Sequence, residues 1–235
     1  NCFSWGGYSI FDDKDVRSAS FCDDIIQASG LGEFDATALG KVLSGKIVEG
    51  SPYVSELQHG MSGSCAPKDA LTMFRLLYKA FTEPRKDTAA FRAYITNLSA
   101  SLKNRSSDPQ SVFFDTIGYA MSGYNSRYKP LTVDMLQEID LDKSLEAFRK
   151  LYASPGTFTY FMVGNFNADE LKPMVEKYIG GLPSGGTPLM WKDPGTAYPK
   201  GDFERTVLKG TEPKSAVMMR FNLPFEYNRK DRNEV

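Results

Sequence analysis

His59 is the single histidine among 235 residues. That count removes several chemistries at once. A two-histidine zinc site, an HExxH or HxxEH helix and any paired-histidine metal centre each need a second imidazole. His59 stands in Gln58-His59-Gly60, which reads as an exposed hairpin turn with no nucleophile pattern beside it. Cys22 is followed by Asp23 and Asp24, a set whose atoms could ligate a metal. Acidic residues in the first half of a helix are, however, what the helix macrodipole favours, so the cluster is read as structural. A Cys22–His59 nucleophile–base pair has no supporting motif. The three cysteines Cys2, Cys22 and Cys65 are odd in number and irregularly spaced, without a CxxC or zinc-ribbon pattern. They read as free thiols behaving as small hydrophobes, with a single disulfide as the alternative. Gly60, Gly63, Gly164, Gly180 and Gly181 fit neither a phosphate loop nor a dinucleotide fingerprint and are better explained as turn residues. Asn97-Leu98-Ser99 and Asn104-Arg105-Ser106 match the glycosylation sequon, but both fall in an expected helix. Arg220, Arg229, Lys230 and Arg232 read as a solvated face. The residues thus nominate no catalytic side chain and no metal ligand, leave substrate-binding residues unassigned, and imply no cofactor held by this stretch.

The elements that would carry these residues can be read from periodicity. Residues 2–11 read as a strand ending in a turn. Asp12 and Asp13 cap a helix that runs to about Ser29 and is ended by Gly30 and Gly32. A short helix covers residues 35–44. Residues 46–57 and 60–66 form two strands of a hairpin, with Pro52 marking an edge or a bulge. Ala70, Phe74, Leu77, Tyr78 and Phe81 fall on one helical stripe, as do Phe91, Ile95, Leu98 and Leu102, and then Leu141, Leu145, Phe148 and Tyr152. Pro67 opens the first of these helices and Pro84 ends it. Asp108-Pro109 opens another helix towards Met121, closed near Gly123, and Thr132 caps a short one. Residues 158–163 are nearly all apolar and read as a strand covered on both faces or central in a sheet. Residues 165–167 turn into a helix carrying Leu171, Met174, Val175, Tyr178 and Ile179. Pro173 is awkward in its interior, so its first turn is expected late, around Asp169.

Hydrophobic residues make up 41% and charged residues 24%, an ordinary globular balance. With 28 basic against 29 acidic residues there is no net field to favour nucleic acid or an anionic membrane. No stretch reaches the roughly 18 apolar residues of a membrane span. The opening residues lack both a signal-peptide pattern and an initiating Met, and the last residues stop inside a charged helix-like run. The expectation is therefore an excised piece of a longer chain. Residues 185–201, with Pro188, Pro194, Pro199 and several glycines, read as a linker. After it, residues 203–208 and 215–221 read as two strands and a new helix begins after Tyr227. The order of elements argues for an α+β structure, a mostly antiparallel sheet with helices packed on one face.

One segment carries a family likeness. Residues 158–183 contain Val163-Gly164-Asn165-Phe166, then Leu171-Lys172-Pro173-Met174-Val175-Glu176, then Leu182-Pro183. This resembles the strand–turn–helix of pitrilysin-like (M16) zinc peptidases, where "VGNF" leads into "LKPLVE.YLGSLP"; the awkward Pro173 is what that pattern contains. Residues 29–34, 57–68 and 108–112 extend the resemblance, and residues 207–215 look like the start of a next repeat. The likeness is to the long, four-repeat bacterial members, the PqqL-type zinc peptidases. It implies the M16/LuxS-like metallohydrolase fold in a shell of four homologous domains, with zinc on an HxxEH helix of the first. Here the corresponding helix, residues 21–27, has no histidine, so no zinc ligand carries over. The chain then looks like the third repeat (1–184, truncated at its start), a linker (185–201) and the opening of a fourth (202–235). Its partners would be the other M16-type domains of the same chain and a peptide substrate, with zinc elsewhere in the parent. The location implied is the periplasm or cell envelope. A scaffold or binding protein on the same fold is the rival reading, and an unrelated α+β binding module a weaker one.

Overall fold

The computed structural model describes residues 1–183 and 185–221 and divides into two units, each treated by itself. The first comprises Asn1–Asn104 and Leu131–Gly195. Its sheet has four strands: β1 (Cys2–Trp5), β2 (Val48–Val54), β3 (Gln58–Cys65) and β4 (Thr159–Tyr160), in the order β2-β3-β1-β4. Every pairing is antiparallel, with Phe3 opposite Gly60 and Thr159, and Gly60 opposite Tyr53.

The helices of this unit are α1 (Asp13–Ser20), α2 (Cys22–Ser29), α3 (Ala36–Val42), α4 (Ala70–Thr82) and α5 (Thr88–Ser107), whose last three residues are counted with the second unit. The second unit holds α6 (Pro109–Met121), and the first resumes with α7 (Leu141–Leu151) and α8 (Ala168–Tyr178). Short polar residues set their starts by accepting otherwise orphaned N–H groups. Asp35 accepts from Ala38 N at 2.7 Å, Asp140 from Lys143 N at 2.9 Å and Asn167 from Asp169 N at 2.9 Å.

Period-2 alternation decides which face of the sheet is dry. Cys2, Ser4, His59 and Met61 are buried, and α2 and α4 pack on their side. Phe3, Trp5 and Phe161 lie on the other side in edge-to-face contact, with Trp5 and Phe161 exposed. The helices therefore cover one face, as expected. The main core gathers Cys2, Cys22, Ile26, Met61, Leu76, Ala80, Phe81, Leu145, Phe148, Leu151, Tyr152 and Phe158. A smaller one joins Ile25, Leu102, Leu136, Ile139 and Leu141, with Phe91, Tyr94, Ile95 and Leu98 packed against it. The helical stripes read from the sequence supply both.

Several expectations need correction. The first helix is two helices, broken at Phe21. The run Ser18–Ser20 supplies the reason, because serine hydroxyls compete for backbone partners. Ser20 Oγ donates back to Arg17 O at 2.9 Å, and Ser18 Oγ donates to Glu138 O at 3.2 Å while accepting from Asp140 N at 3.0 Å. Residues 158–163 are not a central strand: β4 is two residues long and lies at the sheet's edge, and Val163 is 94% exposed. The last helix of the first unit begins at Ala168, within one residue of the expected Asp169, and runs on through Pro173. Thr132 does not cap; its carbonyl accepts from Met135 N ahead of a 3-10 turn, Asp134–Glu138. The Pro/Gly-rich stretch has no regular structure, yet Leu189 packs on the core and Lys192 N donates to Ser9 Oγ at 3.0 Å.

The second unit comprises Arg105–Pro130 and the residues from Thr196 onward. Asp108 caps α6 through Ser111 N at 2.7 Å, and Pro109 occupies the first turn, as read. Gly123 (φ 66°) then turns the chain out of the helix. Arg205 lies over the rings of Tyr124 and Phe203 and donates from Nε to Tyr124 OH at 2.7 Å. The strands expected at 203–208 and 215–221 do not form: both segments are irregular, and Leu208 (92%) and Val217 (86%) face solvent. A strand needs a partner to satisfy its backbone, and the described residues offer none. The helix expected after Tyr227 lies outside the described residues.

Candidate functional site

The sequence likeness implies that α2 corresponds to the motif helix, and its side chains are therefore taken first. Cys22 is fully buried in the main core, and burial pushes its thiol pKa well above the ordinary value. A thiol held neutral is neither a nucleophile nor a metal ligand. Asp23 reaches the edge of the sheet, where its carboxylate accepts from Val54 N at 2.8 Å. Burial raises its pKa, with the Val54 hydrogen bond opposing. Asp24 points elsewhere and accepts from Tyr94 OH at 2.9 Å; burial and then this carboxylate push the phenol upward. The three residues diverge, each with a structural partner. Their reading as a structural cluster stands.

His59 is the residue the sequence places worst. It lies on β3, opposite Ser4 and Val54, and is completely buried, not in an exposed turn. The hairpin closes earlier, through Ser55, whose N–H and hydroxyl both donate to Gln58 O at 2.9 Å. Gly60 suggested a turn, but it is glycine for another reason. A Cβ there would stand 2.0 Å from Cys2 O, so β1 could not approach β3. The imidazole sits edge-on to Tyr152 and Phe158, at centroid distances of 5.5 and 5.1 Å. Gly7 N donates to Nδ1 at 3.4 Å, which leaves the proton on Nε2, and Nε2 makes no hydrogen bond of ordinary geometry among the described residues. Burial lowers its pKa to about 4, with the Leu151 backbone pulling weakly the other way. This is a neutral core histidine.

Tyr152 enters the sequence reading only as a core stripe residue. Its ring stacks on Phe148 at 4.2 Å, and its hydroxyl lies 2.6 Å from Gly60 O and 3.0 Å from Tyr53 O, pinning α7 to the central hairpin. Nothing in its spacing announces that role, because the two carbonyls belong to residues 92 and 99 positions away. A surface cleft of about 280 Å³ lies nearby, lined by Phe81, Glu83, Pro84, Arg149, Pro155 and Pro183. These residues supply no nucleophile with an adjacent base.

All three cysteines are free. Among the described residues no three His, Cys, Asp or Glu side chains gather into a group that could hold a metal ion. The donors on α2 do not fit zinc: the helix has no imidazole, its thiol is sealed in the core and its carboxylates are committed to Val54 and Tyr94. No helix among the described residues is long and apolar enough to cross a membrane.

Comparison with known proteins agrees with this picture. Residues 139–234 match the family described as the Peptidase M16 inactive domain. The chain is 24% identical over 211 residues to a zinc protease PQQL-like protein of Arabidopsis thaliana, covering 88% of the chain and 18% of that protein. It is 24% identical over 197 residues to the probable zinc protease PqqL of Escherichia coli, covering 82% and 20%. The crystal structure of the periplasmic protease PqqL from Escherichia coli superposes with a TM-score of 0.68 at 21% identity, over 82% of this chain and 21% of that one. The ferredoxin protease FusC, solved with Arabidopsis ferredoxin, superposes with a TM-score of 0.66 at 16% identity, over 82% and 21%. The chain thus spans about a fifth of the length of the curated relatives it matches. Residues 139–234 are thus similar to the inactive-domain family of the M16 peptidases, and the chain has an α+β fold resembling that of the periplasmic protease PqqL.

Proposed function

We propose that this chain is a non-catalytic repeat of a four-domain zinc endopeptidase, the third repeat together with the opening of the fourth. The zinc and its HxxEH helix lie in another domain of the parent. The role of this repeat is to form part of the wall that encloses a peptide or unfolded protein while the zinc domain cuts it, against the other M16-type domains of the same polypeptide. The place of work is the periplasm or cell envelope. The observation that carries the reading is the fate of α2. Where an active repeat needs metal ligands, this one uses its thiol as core filling and its first carboxylate as a cap on the sheet edge. The named relatives, zinc proteases and a ferredoxin protease, support a peptide or protein substrate.

The test is zinc content and peptide hydrolysis, measured side by side on this chain and on its full-length parent. A zinc-free, inert chain beside a zinc-loaded, active parent is the expected result. Stoichiometric zinc or cleavage by the chain alone overturns it, and an inert, zinc-free parent favours a scaffold on the same fold.

A further inference from the structure

The Pro/Gly-rich stretch is irregular, yet three contacts hold it to the first unit. At the first, Gly186 passes so close to Ser154 that a Cβ there would stand 1.8 Å from the serine Oγ. At the second, Leu189 lies against Gly6. A Cβ on Gly6 would stand 3.0 Å from Leu189 Cβ, 3.6 Å from Ile10 Cγ2 and 3.7 Å from His59 Cε1. Residue 6 thus makes room for Leu189 by having no side chain, and its φ of 127° favours glycine independently. At the third, Lys192 N donates to Ser9 Oγ at 3.0 Å. Between the last two contacts Met190 and Trp191 are exposed, while Leu189 packs on the core.

The turn that receives the stretch has its own fastenings. Gly6 N donates to Leu57 O at 2.8 Å, Tyr8 N to Ser55 O at 3.0 Å and Ser9 N to Glu56 O at 2.9 Å, which ties residues 6–9 to the turn between β2 and β3. Ser9 is buried, and its hydroxyl proton goes to Gly6 O at 2.7 Å, so the oxygen is left to accept an incoming N–H. A receptor already ordered loses little entropy when it is filled. What docking orders is the stretch itself, an irregular backbone with exposed residues, of the kind that proteases nick.

We propose that the turn at residues 6–10 is a docking site for the linker, and that residues 186–192 are a strap whose docking shields the linker from proteolysis. A protease draws several residues of extended backbone into its cleft. With Leu189 and the Lys192 N–H both engaged, the strap must detach before that can happen, so cleavage follows the population of the detached state. On the reading of the chain as part of a peptidase, the strap withholds the linker from the parent's own centre as well. The docking itself does not depend on that reading.

Trypsin reads the detachment, because Lys192 is one of the anchors and Lys200 lies beyond the strap. Leu189→Ser should raise the rate of cleavage after Lys192 roughly tenfold, as expected for the loss of a partly buried leucine, and leave cleavage after Lys200 and the helical circular dichroism unchanged. Ser9→Ala removes the acceptor for Lys192 N and keeps the backbone bonds of the turn, and it should act in the same direction. Unchanged cleavage after Lys192 in both variants overturns the proposal. So does a rise at Lys200 equal to that at Lys192, which would report general loosening. A full-length parent without peptidase activity, in which both variants still expose Lys192 to trypsin, would remove the peptidase reading and leave this one standing.

Discussion

Because His59 is the only histidine, the stability of this chain between pH 7 and pH 5 isolates one side chain. In the unfolded chain the imidazole takes up its proton near pH 6.5, whereas in the fold burial delays that step to about pH 4. The unfolded state therefore binds more protons throughout this interval, and stability falls as the pH falls. The full gap corresponds to about 3 kcal/mol, of which about 2 kcal/mol is lost between pH 7 and pH 5. Asp23 acts in the opposite sense, since its raised pKa adds stability as acid protonates it in the fold first. Comparison with His59→Gln, which cannot titrate and keeps an acceptor for Gly7 N, cancels that contribution. Urea unfolding at pH 7 and pH 5 should show the parent sequence losing about 2 kcal/mol more than His59→Gln. Equal losses would mean that His59 is not a buried neutral group, and the account of β3 would fail with it.

Three further outcomes are expected. Phe148→Ala removes a fully buried ring stacked on Tyr152 and should cost about 3–5 kcal/mol in urea unfolding. Titration with an aromatic disulfide reagent should label Cys65 first, because it is only partly buried, while Cys2 and Cys22 react only when denaturant is added. Pro173 lies inside α8, where it removes the N–H that would bond to the Asp169 carbonyl; Pro173→Ala should therefore raise the melting temperature, by a stabilisation on the order of 1 kcal/mol or more.

What the sequence discloses follows the range of each interaction. Helices announce themselves through neighbours three and four positions apart, so the stripes of Phe74, Leu145 and Phe148 and the caps at Asp35, Asp108 and Asn167 are legible one element at a time. Residues whose environment is assembled from distant segments are not. Gly60 looks like any turn glycine until Cys2 comes to lie against it, and His59 then inherits the wrong surroundings. Asp23 looks like an ordinary first-turn acid, although its partner Val54 is 31 residues away. Residues 158–163 and 203–221 carry strand composition, but composition does not supply the strand that must lie alongside. The absence of a second histidine needs only counting, and so the lack of an HxxEH helix is legible where the surroundings of His59 are not.

The unequal edges of the sheet also govern how two such chains can meet. Along β2 the pairing bonds of Ile47 and Ser55 point towards β3, so Val48, Gly50, Pro52 and Val54 face outward. With Pro52 lacking a donor and Val54 engaged, few amides remain on that side, whereas β4 is unguarded. Head-to-tail stacking of sheets, which would propagate without limit, needs both edges. Joining β4 to β4 uses one edge from each copy and then has nothing left to offer. Any pairing of copies through β4 would therefore stop at two, and the sheet itself would keep such an assembly out of fibres.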